Sequence, residues 1–204
     1  MQQRAQERQR RILEAALRVY ARRGFGATTM DEVARASRTS KGGLYFHFPS
    51  KEGLFLALLR YAGQRLLAKV QEAMASAPDP VARAEAALGT VLRTFSRHRP
   101  LARLLLLEGL GGGRRFQAEA TALRQRCVAL IGDCLQEAVA QGLIGPLDAE
   151  LTARAWLGAV VEVIVHWLLT GRPQRLEDAY PHLRALFRRS VGLPPQEALG
   201  QPLP

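Results

Sequence analysis

Apolar side chains recur along this chain at helical spacing. Ile12, Ala15, Ala16, Val19 and Tyr20 share one face, Arg8, Arg11, Arg18 and Arg22 lie off it, and Gly24 stands where a C-terminal cap belongs. The pattern predicts a first helix of about 20 residues. Thr29-Met30-Asp31-Glu32 has capping-box spacing, in which the threonine hydroxyl and the glutamate carboxylate satisfy orphan amides at a helix start, so a second, short helix is predicted through Ala36. Thr39 or Ser40 caps a third helix to about residue 47. Pro49 cannot continue the hydrogen-bond ladder, and Ser50 starts a fourth helix. Two short helices joined by a tight turn make a helix-turn-helix.

Further helices are predicted over residues 80–98, 101–110 and 114–141, with a break at 142–146, and then over 148–169 and 176–191. The segment 101–110 has almost no polar face, and Gly111 to Gly113 after it form a flexible joint. The penultimate helix carries Trp156, Leu157, Val160, Val161, Ile164, Trp167 and Leu168, so it is apolar around much of its circumference. Such a helix must be buried on more than one side.

Residues 39–48 break the amphipathic pattern. Small polar groups, a lysine, two adjacent glycines and several aromatics crowd into Thr39-Ser40-Lys41-Gly42-Gly43-Leu44-Tyr45-Phe46-His47-Phe48. Each glycine costs a helix roughly 1 kcal/mol relative to alanine. A helix that keeps both fits the close approach of something large and flat, such as a nucleic-acid backbone. Charge points the same way. Of the net charge of +11, residues 1–60 carry +7, from 12 basic and 5 acidic side chains. That excess predicts salt-dependent attraction to phosphates. Arginine outnumbers lysine 26 to 3 and asparagine is absent; a heat-adapted protein and a GC-rich genome both produce that bias, and no function follows from it.

The run Thr28-Thr29-Met30-Asp31-Glu32-Val33-Ala34, then residues 39–48, then Ser50-Lys51-Glu52-Gly53-Leu54, resembles the DNA-binding domain of the TetR family of bacterial transcriptional regulators. The resemblance implies an all-α fold of about nine helices. In it, a helix-turn-helix DNA-binding domain occupies residues 1–50 and a helical ligand-binding and dimerisation domain occupies residues 51–204. It implies a transcriptional regulator, most often a repressor, and the lack of a signal core or spanning stretch makes a cytoplasmic location the expectation.

In a helix-turn-helix the second helix enters the major groove and neighbouring groups grip phosphates. Lys41 is expected to donate to guanine O6 or N7 or to a phosphate, and the Thr39 and Ser40 hydroxyls to bond bases or backbone. Gly42 has no side chain to hold the helix off the groove. By resemblance, Tyr45 and His47 contact the phosphate backbone and Lys51 adds a clamp at the start of the fourth helix, with Thr29 doing the same at the second. Phe46 replaces a tyrosine common in the family, which removes a hydroxyl and leaves a ring to pack on sugar or a thymine methyl. Arg38, in the turn, is a further phosphate partner. Leu44 and Phe48 are read as core.

The half-site rule links operator symmetry to protein symmetry, so a homodimer on a palindromic operator is expected. The last two helices are the expected interface, a four-helix bundle by resemblance. The same resemblance places a small-molecule effector among the middle helices, where it tilts the fourth. Leu66, Val70, Phe95, Leu105 and Leu106 are candidates for an apolar cavity, and Arg99, Arg103, Arg114 and Arg115 for a cationic mouth. An apolar channel with such a mouth suits a long-chain fatty acyl-CoA. The alternative is an architectural DNA-binding protein without small-molecule control.

Other classes find little support. No nucleophile, base and orienting group cluster, and no phosphate-cradling glycine motif follows a strand, so neither an enzyme nor a cofactor is expected. Glu162 and His166 are four apart but lack an evident third ligand, which favours a hydrogen-bonded pair over a metal. No apolar signal core or uninterrupted spanning stretch stands out, so no membrane is expected. Cys127 and Cys134, about 10.5 Å apart on one helix at 1.5 Å rise per residue, are too distant for a disulfide and read as small hydrophobes.

Overall fold

The computed structural model describes residues 2–108 and 113–194, and every regular element among them is helical. In chain order these are α1 (Gln2–Ala27), α2 (Met30–Ala36), α3 (Lys41–His47), α4 (Lys51–Ala75), α5 (Pro80–Arg97), α6 (Arg99–Arg103), α7 (Arg114–Ala140), α8 (Ala149–Thr170) and α9 (Tyr180–Ser190). A π-helical turn, Leu104–Glu108, follows α6, and a 3-10 turn, Leu176–Ala179, leads into α9.

Local chemistry explains most boundaries. Asp79 accepts from the Ala82 amide at 2.8 Å and Pro80 fills the first turn of α5, where its missing N–H costs nothing. Asp148 caps α8 in the same way at 2.9 Å, and Gly171 closes that helix at φ 73°, a conformation that favours glycine.

Three helices differ from the sequence pattern. Gly24 does not end α1 but kinks it, with φ 74° and ψ 172°, and one more helical turn reaches Ala27. The expected helix over 101–110 starts earlier and changes to a π turn at Leu104, while residues 109–112 lie outside the described ones. The helix expected over 176–191 divides at Tyr180, with Pro181 in the first turn of α9.

The chain forms two compact units. One holds the described parts of Met1–Gln64 and Arg99–Thr121; the other holds Arg65–His98 and the described residues from Ala122 onward. This partition follows packing, whereas the expected division after residue 50 separates roles.

In the first unit, Ile12, Ala15 and Ala16 of α1 are fully buried together with Val33, Leu44, Leu54, Phe55 and Leu58. Four rings lock its elements together. Phe55 meets Tyr20 at 5.3 Å, Phe25 at 4.7 Å and Phe116 at 4.9 Å between centroids. Tilted and edge-on rings at these separations add about 0.5–1.5 kcal/mol per pair beyond area burial. Phe116 stands in the first turn of α7, and Arg60 of α4 donates to Glu119 one turn further along at 2.7 Å.

The second unit packs Val128, Leu135 and Ala138 of α7 against Ile144, Ala149 and Ala153. Trp156 of α8 stacks on Phe187 of α9 at 4.6 Å and donates its indole N–H to Ser190 at 3.0 Å. Glu85 of α5 accepts from Arg184 at 2.7 Å and Arg188 at 2.8 Å, which clips α9 to α5.

Candidate nucleic-acid interface

The capping box forms as its spacing predicts. The Thr29 amide donates to Glu32 Oε2 at 2.9 Å, and the Glu32 amide donates to Thr29 Oγ1 at 3.3 Å. The Thr29 amide, foremost, holds the Glu32 carboxyl below its ordinary pKa. Thr29 is thereby committed to the start of α2 before any phosphate arrives.

The turn between α2 and α3 is a Schellman motif. Arg38 N–H donates to the Arg35 carbonyl at 3.2 Å and Thr39 N–H to the Ala34 carbonyl at 3.0 Å, with Arg38 at φ 54°. Glycine is the usual occupant here, because a side chain in the left-handed region costs roughly 1–2 kcal/mol. Arg38 is the one non-glycine residue with positive φ among the described residues. Its side chain makes no ion pair or hydrogen bond among those residues. The backbone strain at Arg38 is therefore not offset by any side-chain bond among the described residues.

Helix α3 begins at a capped turn. Ser40 Oγ accepts from the Gly43 amide at 3.1 Å. The two glycines then separate into different cases. A Cβ on Gly43 would meet Ser40 Oγ and Thr39 Cγ2 at 3.0 Å, so the cap itself demands a small residue there. A Cβ on Gly42 would meet nothing within 4 Å. Gly42 therefore answers to no crowding within the described residues.

The outer face of α3 is unusually apolar for a surface. Phe46 is 83% exposed and Tyr45 41%, while Leu44 and Phe48 point inward and are buried as expected. Burying a ring as open as that of Phe46 is favourable, so its exposure fits a surface that is covered in use. Lys41 pairs with Asp31 at 3.1 Å, both exposed, and such a pair exchanges readily for a phosphate or base. His47 is half-buried, edge-on to Phe46 at 5.4 Å between centroids. Lys51 is held more firmly: its ammonium donates to the Gly26 carbonyl at 2.9 Å and stands 4.6 Å over the Phe25 ring.

These residues share the first unit, so Arg38, Thr39, Ser40, Lys41, Gly42, Tyr45, Phe46, His47 and Lys51 lie on or beside one short helix. The expected effector residues divide. Leu66, Val70 and Phe95 are buried in the second unit, whereas Leu105 is buried and Leu106 half-buried in the first, with Arg99, Arg103, Arg114 and Arg115 exposed there. A cavity of about 30 Å³ in the second unit, lined by residues including Val81, Leu88, Cys134 and Phe187, contains none of these nine residues. Such a volume holds little more than a water molecule.

Sequence reasoning missed the residues that tie α7 to this unit, Phe25, Phe116, Arg60 and Glu119. Phe116 and Phe55 lie far apart in the chain, and helical periodicity carries no signal for that pairing. The cysteines behave as inert groups: burial pushes the Cys127 thiol up to about 11 and raises that of Cys134. No cluster of three or more metal-ligating side chains occurs among the described residues.

Comparison with known proteins converges on the same elements. Residues 12–58, spanning the helix-turn-helix, match the bacterial regulatory proteins of the tetR family, and residues 77–183 match the tetracyclin repressor-like C-terminal domain. The chain is 27% identical over 161 residues to the HTH-type transcriptional regulator YhgD of Bacillus subtilis, covering 79% of this chain and 84% of that protein. It is similar in structure to AibR, solved in complex with isovaleryl coenzyme A and operator DNA, with a TM-score of 0.70, 28% identity and coverage of 88% and 97% of the two chains. The fold also resembles FadR from Bacillus subtilis, solved in complex with stearoyl-CoA, with a TM-score of 0.80 at 17% identity and coverage of 89% and 97%. Two matched segments, which together take in the reading head and most of the helices behind it, decide the matter: this chain belongs to the TetR family of bacterial helix-turn-helix regulators.

Proposed function

We propose that this protein is a ligand-responsive repressor that binds a palindromic operator as a homodimer and is released by an acyl-CoA. The observation that carries the DNA half is α3, where Gly42 lacks an internal reason to be glycine and Lys41, Tyr45 and Phe46 face outward. Lys41, Thr39 and Ser40 read the major groove, while Arg38, Tyr45, His47 and Lys51 grip phosphates. Lys51, already bonded to the Gly26 carbonyl, contributes its remaining donors.

Helix α8 supports the dimer. Leu151, Ala155, Gly158 and Glu162 are exposed along it at steps of four, three and four, and Leu169 is exposed seven residues further on, with Leu186 exposed on α9. Apart from Glu162 these side chains are apolar or small, and such side chains in that rhythm form a seam against another helix. The helix is long and apolar enough to cross a membrane, at mean hydropathy 1.3, and only 28% of that window is buried within the chain. A second copy covering the seam accounts for that excess.

Supporting the effector reading are the exposed Arg99, Arg103, Arg114 and Arg115 and the coenzyme A thioesters held by AibR and FadR. The test selects operators from random DNA and titrates the complex with long-chain acyl-CoA or with coenzyme A alone. Release by the thioester and not by coenzyme A is expected. Equal affinity with and without a range of acyl-CoAs removes the effector reading, and sequence-insensitive binding would favour an architectural protein.

A further inference from the structure

Residues 4–11 bury no side chain in the fold. They precede the segment that matches the family, which starts at residue 12, and the buried face of α1 also begins there, at Ile12. Residues 4–11 are nevertheless helical and exposed at every position. A helical segment polar all round needs ion pairs or a partner to stay formed.

Its charges are sorted. Arg10 bonds Glu7 at 2.7 Å and lies 4.0 Å from Glu14, whose carboxylate also accepts from Tyr61 at 3.1 Å. These are the acidic side chains of α1, and both lie around Arg10. Arg4, Arg8 and Arg11 form no ion pair or hydrogen bond among the described residues, and neither do Arg18 and Arg22 further along. At 100° per residue the five arginines fall within an arc of about 80° and span about 27 Å. Buried Ala15 shares that arc, so the stripe runs along the margin of the packed face. Its last member, Arg22, is followed by Arg23, which lies off the stripe and bonds Glu32 of the α2 capping box, so the end of the stripe reaches the segment that braces the helix-turn-helix.

We infer that Arg4, Arg8 and Arg11 form a second phosphate-binding track that engages the backbone of the DNA held by α3. Charge complementarity selects this occupant: the guanidinium fork matches phosphate oxygens, and an extended polyanion presents them along the length that the stripe offers. The track reads no bases. It supplies affinity without discrimination, whereas Lys41 supplies discrimination. The inference rests on the DNA-binding reading above.

The test compares the full-length protein with the variant R4Q/R8Q/R11Q on a selected operator and on unrelated DNA between 50 and 200 mM salt. Each phosphate that the protein no longer neutralises lowers the slope of log K against log salt by about 0.9, so removing six arginines from a dimer lowers it by up to about 5. Affinity for both DNAs should fall by the same factor, leaving their ratio intact, and R4K/R8K/R11K should restore the slope. An unaltered slope in the glutamine variant, with the wild type still preferring its operator, overturns the track and leaves the reading head standing. A wild type with no operator preference overturns the reading head instead, and a slope that still drops in the variant then upholds the track as a nonspecific one.

Discussion

The helix-turn-helix and the helices around α6 differ in how far their residues are committed. Between Thr28 and Lys51 almost every polar group has a traceable assignment: Thr29 and Glu32 cap each other, Ser40 caps α3, and Asp31 holds Lys41. The side chains of Arg35, Arg38 and Tyr45 form no hydrogen bond or ion pair among the described residues. Around α6 the buried residues are Ala102, Leu104 and Leu105, which any core would accept. The difference is the one that the two proposed partners would impose. Duplex DNA has one shape and one repeating charge, so a groove-binding helix needs particular residues at particular steps. An apolar pocket needs only volume, and many side-chain sets fill the same volume.

The contrast breaks first if the start of α7 is not part of the first unit's core. Phe116→Ala removes a ring that packs on Phe25 and Phe55. A loss of about 3–5 kcal/mol in urea denaturation is expected. A loss below about 1 kcal/mol, within the range of a surface substitution, would detach α7 from this core.

Lys41→Ala sharpens the comparison from the DNA side. Its exposed pair with Asp31 contributes little to folding, so the melting temperature should stay near the wild-type value. Discrimination between the selected operator and one changed at a single base should fall by about 1–3 kcal/mol, measured by competition anisotropy.

Smaller, opposed effects are expected at two backbone-controlled positions. Arg38→Gly relieves the left-handed strain and should stabilise the fold by about 0.5–1 kcal/mol, yet weaken DNA binding and lower the salt slope by about 1 per protomer. Gly42→Ala meets no atom within 4 Å, so it should leave the fold as stable or gain up to about 1 kcal/mol while operator affinity falls. Stability and binding moving together in either variant would deny that these residues serve DNA.

The smallest effect concerns the cysteines. Burial raises the Cys127 thiol to about 11, so the thiol stays neutral through pH 9 and iodoacetamide labelling of the folded protein should be slow there. For a thiol, whose charged form is the deprotonated one, a raised folded-state pKa means that the neutral form is favoured by folding. The associated stability is present below the unfolded value and lost as pH climbs toward 11. Rapid labelling at pH 7 would contradict the inert reading.

Much of this contrast was legible in the sequence. Capping chemistry is local, so Thr29, Glu32, Ser40 and Pro49 marked α2 and α3 to within a residue. The π turn at Leu104 left no trace, because an unbroken leucine run is compatible with either helical pitch. Nor could spacing separate Gly42 from Gly43: both cost a helix the same, and only the position of the Ser40 and Thr39 side chains shows which glycine the protein itself requires. The strain at Arg38 was equally hidden, since a left-handed cap ordinarily announces itself with glycine.

The central claim is that α3 reads sequence. The most direct measurement is the ratio of affinities for a selected palindrome and for unrelated duplex of equal length, at one salt concentration, for the wild type and for a variant lacking Lys41 and Tyr45 side chains. A wild-type ratio of about 10³ or more is expected, collapsing toward one in the variant while binding to unrelated DNA persists. A wild-type ratio near one, or a ratio unmoved by the variant, would contradict it.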